Sequence, residues 1–136
     1  MVDVDGVGHK STGETALFQA AQQGFVEVVR FLVEEGKADV DKARTSDGAT
    51  PLFMAAQKGH TEVVRFLVEE GKADVDKVND NNQTPINVAA DSGHLEVVQF
   101  LLGKGADCTI KDKWGDTPLA SARAKGHAEV AAVLAT

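Results

Sequence analysis

Residues 28–42 and 63–77 carry the same fifteen letters, VVRFLVEEGKADVDK, set 35 positions apart. A chain that repeats itself this closely builds one local structure more than once, and the copies then pack against one another. Two landmarks carry the repetition further. Thr-Pro pairs stand at Thr50-Pro51, Thr84-Pro85 and Thr117-Pro118, with Thr15-Ala16 in the place of an earlier pair. A glycine before Phe or His stands at Gly24, Gly59, Gly93 and Gly126, and both sets advance by 35, 34 and 33 residues. The chain therefore reads as a lead-in, residues 1–12, and four units at about 13–47, 48–81, 82–114 and 115–136.

Each unit has a physical reading. A Thr hydroxyl caps a helix, and Pro after it has its φ preset and lacks an N–H that would be orphaned. Small residues such as Ala55-Ala56 and Ala89-Ala90 follow, and a glycine ends the helix after about two turns. The stretch from His60 or His94 then places apolar residues at i, i+3 and i+4, which predicts a second, amphipathic helix ending at Gly36, Gly71 or Gly105. Residues rich in Asp, Lys, Asn and Gly form a projecting turn before the next Thr. One such pair cannot bury its own apolar face, whereas stacked pairs share a continuous core.

The run Gly48-Ala49-Thr50-Pro51-Leu52 with Ala55-Ala56-Gln57-Lys58-Gly59-His60 resembles the ankyrin repeat family, and its counterparts around Thr84-Pro85-Ile86 and Thr117-Pro118-Leu119 do the same. The resemblance covers about residues 13–136. It implies an all-α solenoid of helix-turn-helix units with projecting β-turn fingers. Four departures stand out. The histidine that follows Thr-Pro-Leu in the family is replaced by Phe18, Phe53, Asn87 and Ala120, so its inter-repeat hydrogen bond is expected to be absent, with apolar packing in compensation at the two Phe. Lys37 and Lys72 lengthen two of the turns. Arg123 stands where the other copies have Ala, which suits a last repeat whose outer face meets water. The Ala-rich stretch 128–136 fits either a weak cap or a cut from a longer array.

Charge narrows the function classes. Fourteen Lys and Arg against twenty-one Asp and Glu leave a net charge of -7, which repels nucleic acid and anionic lipid. The longest apolar stretch, residues 130–135, is far short of the roughly 18 needed to span a bilayer. Acid near the N-terminus does not suit a signal peptide. Cys108 has no partner for an internal disulfide, so a reducing compartment, cytoplasmic or nuclear, is expected.

No chemistry stands out from the repeat. His60, His94 and His127 occupy one place in successive units, roughly 10 Å apart in a helix stack, too far for a shared metal; His9 is isolated. The stretch 6–11, GVGHKS, has His9 where a phosphate loop needs glycine, and Val4 ahead of it stands where the loop's first glycine would be. Asp3-Val4-Asp5-Gly6 and Asp74-Val75-Asp76 start like calcium loops but do not continue as one. Lys104 and Lys111 could lower the Cys108 pKa, yet no His makes it a nucleophile. A non-catalytic chain without cofactor or metal is expected.

What the resemblance implies is a protein-binding module that grips a partner on its concave face. Mapped onto this chain, that face is Ser46, Asp47, Ala49, Gln57 and Lys58; Asp80, Asn81, Gln83, Asp91 and Ser92; Lys113, Trp114, Asp116, Ala124 and Lys125; and Glu14, Gln22 and Gln23. Trp114 invites two readings, a binding anchor or a ring packed on a neighbouring lysine stem. Acids and amides dominate this set, so the expected partner is a neutral or basic polypeptide. A spacer segment of a longer array is the alternative. Monomeric behaviour is expected.

Overall fold

The computed structural model describes residues 14–136; the lead-in, with His9 and the stretch 6–11, lies outside the described residues. Among the described residues eight helices follow one another: α1 Ala16–Gln23, α2 Val26–Glu34, α3 Pro51–Lys58, α4 Thr61–Glu69, α5 Pro85–Ser92, α6 Leu95–Gly103, α7 Pro118–Ala124 and α8 Ala128–Leu134. The odd helices pack side by side in one row and the even helices in another, each pair bound to its neighbours. This is an all-helical solenoid.

Local chemistry sets the helix ends. The hydroxyls of Thr15, Thr50, Thr84 and Thr117 accept from the N–H of Phe18, Phe53, Asn87 and Ala120. Each such cap stabilises its helix by about 1 kcal/mol. Gly24, Gly59 and Gly93 close α1, α3 and α5 in the left-handed conformation, as the sequence predicts. The even helices start without a side-chain cap, but Glu27, Glu62, Glu96 and Glu129 sit in their first turns, where a negative charge suits the helix dipole. Leu17, Leu52, Ile86, Val29, Val64, Val98, Leu67 and Leu101 are buried between the rows.

The even helices end earlier than the glycines suggest. α2 and α4 stop at Glu34 and Glu69, and the left-handed residues that turn the chain are Lys37 (φ 55) and Lys72 (φ 57). Gly105 (φ 83) fills that place in the third unit. Gly36 and Gly71 are thus an additional residue between helix and turn. The Ala73 N–H bonds the Leu67 carbonyl, six positions back, whereas the Ala106 N–H bonds the Leu101 carbonyl, five back. A Cβ on Gly71 would lie 2.8 Å from the Leu67 carbonyl oxygen, so this tight passage needs glycine. A second additional residue sits in the first finger, where the Arg44 N–H bonds the Ala49 carbonyl, while Asn79 bonds Gln83 and Asp112 bonds Asp116. These two insertions account for steps of 35 and 34 against 33, and neither enters a helix.

Candidate functional site: fingers and odd-helix face

The turns between units line up edge to edge. The Asp80 N–H donates to the Asp47 carbonyl at 2.8 Å and the Lys113 N–H to the Asn81 carbonyl at 2.9 Å. The Asn82 amide adds a bond to the Lys111 carbonyl. Nearer the helices, Asp41 Oδ1 accepts from the Asp74 N–H and Asp76 Oδ1 from the Asp107 N–H. The Asp-Val-Asp segments of the described residues thus hold finger bases together, and no group of three or more His, Cys, Asp or Glu there could hold a metal ion.

The histidines join repeats as well. Nε2 of His60, His94 and His127 lies 3.0, 2.9 and 3.0 Å from the carbonyls of Gln22, Gln57 and Asp91. A carbonyl only accepts, so Nε2 carries the proton. Each ring lies against the glycine of the preceding unit: a Cβ on Gly24, Gly59 or Gly93 would come within 2.7 Å of it.

The second and third fingers close with their own side chains. Asn79 Oδ1 accepts from the N–H groups of Asn81 and Gln83, and Asp112 Oδ1 from those of Trp114 and Asp116. The first finger has Arg44 at the equivalent place and uses a different device. Arg44 grips Asp47 through two bonds of 2.8 and 2.9 Å, reaches Glu14 at 2.9 Å, and lies over the Phe18 ring with its guanidinium carbon 4.9 Å from the centroid. The hydrogen bond from Arg44 holds the Asp47 carboxyl below the usual carboxylate range, against the effect of partial burial. The bond with Asp47 likewise raises the Arg44 pKa. Reading the sequence missed Arg44; the signal was a basic residue where the later fingers carry Asn79 and Asp112.

Of the residues expected to make contact, Ser46, Lys58, Asp80, Ser92, Lys113, Trp114, Ala124, Lys125 and Gln23 are exposed. Glu14, Gln22, Asp47, Gln57, Asn81, Gln83, Asp91 and Asp116 are half-buried, and several are engaged inside the molecule: Asp91 pairs with Lys125 at 3.4 Å and Gln83 bonds Asn79. Ala49 is fully buried beneath the finger and offers a partner no side-chain surface, which corrects its inclusion. Trp114 is 61% exposed, and Lys113 Nζ stands 5.0 Å from its ring centroid. The ring is thus packed on a neighbouring lysine and still largely open to solvent. Phe18 and Phe53 are buried, as expected for apolar compensation. Asn87, also buried, reaches the Asp116 carbonyl of the next unit at 3.5 Å, so a long inter-repeat bond survives at that one place; its Oδ1 has no partner. The Cys108 thiol runs opposite to the expectation from nearby lysines. Burial and the carboxylates of Asp107 and Asp76 push it up, away from the reactive thiolate.

Three overlapping stretches, residues 2–78, 37–112 and 71–136, match the family model described as ankyrin repeats (3 copies). The chain belongs to the ankyrin repeat family. No curated protein matches it. Ankyrin repeats generally act as protein-interaction modules and are typically non-catalytic. In this ankyrin stack the finger edge and the odd helices offer hydrogen-bonding groups and one large aromatic ring on fixed backbone. Among the described residues no helix is long and apolar enough to cross a membrane.

Proposed function

We propose that this chain binds a partner polypeptide along its fingertips and the adjoining turns of the odd helices, without catalysis and as a monomer. The observation that carries the reading is Trp114, 61% exposed at a fingertip whose backbone is tied to the preceding finger through Lys113 and Asn81. An exposed indole on rigid backbone supplies contact area at low entropic cost, and Trp is enriched among residues that dominate binding energy. The same face carries Asp80, Asn81 and Asp116, which suit a neutral or basic peptide surface. A net charge of -7 points the same way, and a cytoplasmic or nuclear setting fits the single thiol.

The test is a pull-down from lysate with the parent chain beside a Trp114→Ala, Asp80→Ala variant, after circular dichroism shows that both melt alike. Proteins held by the parent and lost by the variant support the reading. Identical captures from both refute it and favour the spacer alternative, for which the near-identity of the first two units speaks.

A further inference from the structure

The bonds that tie finger to finger stop at the third finger without being closed off. Asp47, Asn81 and Trp114 occupy one place in the three fingers, followed by Gly48, Asn82 and Gly115. The Asp47 and Asn81 carbonyls each accept an N–H from the next finger, that of Asp80 at 2.8 Å and that of Lys113 at 2.9 Å. The Trp114 carbonyl and the indole N–H of the same residue have no hydrogen-bond partner among the described residues. The glycines tell the same story. A Cβ on Gly48 would lie 2.5 Å from Asp80 Oδ1 and 3.2 Å from the Asp80 backbone nitrogen, whereas one on Gly115 would meet nothing within 4 Å. The helix layer at this end is different, since Arg123 stands exposed in the place of the buried Ala56 and Ala90. A further helix could bury that guanidinium only with a partner for its charge. Backbone can therefore approach the finger edge at an end where the helix layer resists company.

We infer that this edge takes an extended segment of a partner protein, which donates a backbone N–H to the Trp114 carbonyl and lays an apolar, uncharged side chain on the indole; the inference rests on the fingertip reading above and narrows its occupant. The bond continues one that the molecule already makes twice. A helix spends its N–H groups within itself, whereas an extended chain presents them along its edges, so the donor belongs to an extended segment. Successive side chains of such a segment point to opposite sides, which leaves every second one free to face the ring. Charge selects that side chain. Lys113 Nζ stands 5.0 Å from the ring centroid and Lys111 is exposed two residues earlier, so a basic side chain on the ring would meet like charge. The ring is 61% exposed, which leaves it apolar area to offer.

The test selects dodecapeptides from a randomised phage-displayed library on the full chain, then synthesises the enriched ones and titrates them into the isotope-labelled chain. The expected peptides carry an apolar residue and shift the Trp114 indole and Gly115 amide resonances. N-methylation of one peptide amide, or Trp114→Ala in the chain, should weaken binding at least about tenfold, while Arg123→Ala should leave it within about twofold. Because Trp114 is exposed, circular dichroism of the alanine variant should match the parent. Shifts confined to the odd-helix turns around Gln57 and Asp91 overturn the edge while the fingertip reading stands. Binding that tolerates N-methylation at every amide, a peptide that is helical when bound, or tighter binding to Arg123→Ala also overturns it. So does a selection that enriches no peptide over the same library on Trp114→Ala, and the lysate capture then decides the fingertip reading by itself.

Discussion

The two ends of the stack are built from the same unit and meet water in opposite ways. At the first repeat the side chains of Phe25, Val28 and Phe31 stand in solvent. At the last, Arg123 stands exposed where Ala21, Ala56 and Ala90 are buried, and a Cβ on Gly126 would meet nothing, although the equivalent Gly24, Gly59 and Gly93 each press on a histidine. An exposed guanidinium at Arg123 could be buried against a further helix only with a partner for its charge. The first repeat has no such substitution. Its face keeps the apolar residues of an internal repeat and even gains one, Phe25.

The difference can be broken by moving the features that define it. Ala90→Arg carries the Arg123 feature one repeat inward; it should cost more than about 3 kcal/mol and free α7 and α8, seen as a lowered urea midpoint with fast amide exchange beyond residue 116. The reverse change, Arg123→Ala, should stay within about 0.5 kcal/mol in the same titration. Phe66→Ala should cost about 3 kcal/mol in chemical unfolding, while Phe31→Ala, the same deletion on the open face, should cost less than about 1 kcal/mol. Equal losses would mean that the first repeat's face is covered in solution.

Smaller effects sharpen the comparison. His60→Phe gives the second repeat the residue of the first and leaves the Gln22 carbonyl without its donor, at an expected cost of about 1 kcal/mol. Phe25→His should be close to neutral in the same melts, since no preceding carbonyl stands there among the described residues. The smallest effect concerns acid. The Asp47 pKa is lowered by Arg44, so the pair contributes stability that is fully present above the ordinary carboxylate pKa near 4 and is lost as pH falls through the lower folded value. Melting curves of Asp47→Asn and parent should therefore differ at neutral pH and converge in strong acid, by less than about 1 kcal/mol because the pair is partly exposed.

The repeat, the eight helices and the order of the stack were legible because each rests on local rules. Thr before Pro, glycine after two turns and apolar spacing of 3.6 all act within a few residues. What escaped were effects of neighbours. The left-handed turn falls on Lys37 and Lys72 because a preceding glycine is taken up in the tight passage after the helix, which spacing alone does not locate. Ala49 looks like a fingertip residue, but its N–H bonds the Asp47 carboxylate, its carbonyl accepts from the Arg44 N–H, and its side chain is buried. Cys108 feels carboxylates from two fingers, Asp107 and Asp76, rather than the lysines nearest in sequence. Of the candidate site, the exposed finger residues could be named in advance. How firmly their backbone is held depends on the finger-to-finger bonds, and those could not.

The hydrogen bonds between repeats also share a direction. The histidine rings, the finger amides of Asp80 and Lys113 and the base amides of Asp74 and Asp107 all donate backward, from a later unit to an earlier one. The side-chain amides of Asn82 and Asn87 point forward. The stack is accordingly a polar filament in miniature. A unit joining the trailing end must bring donors to waiting carbonyls, whereas one joining the leading end meets donors, except where Phe25 has removed one. Two segments of this kind could splice in a single orientation, so the direction of the polypeptide is written a second time in the chemistry of its side faces.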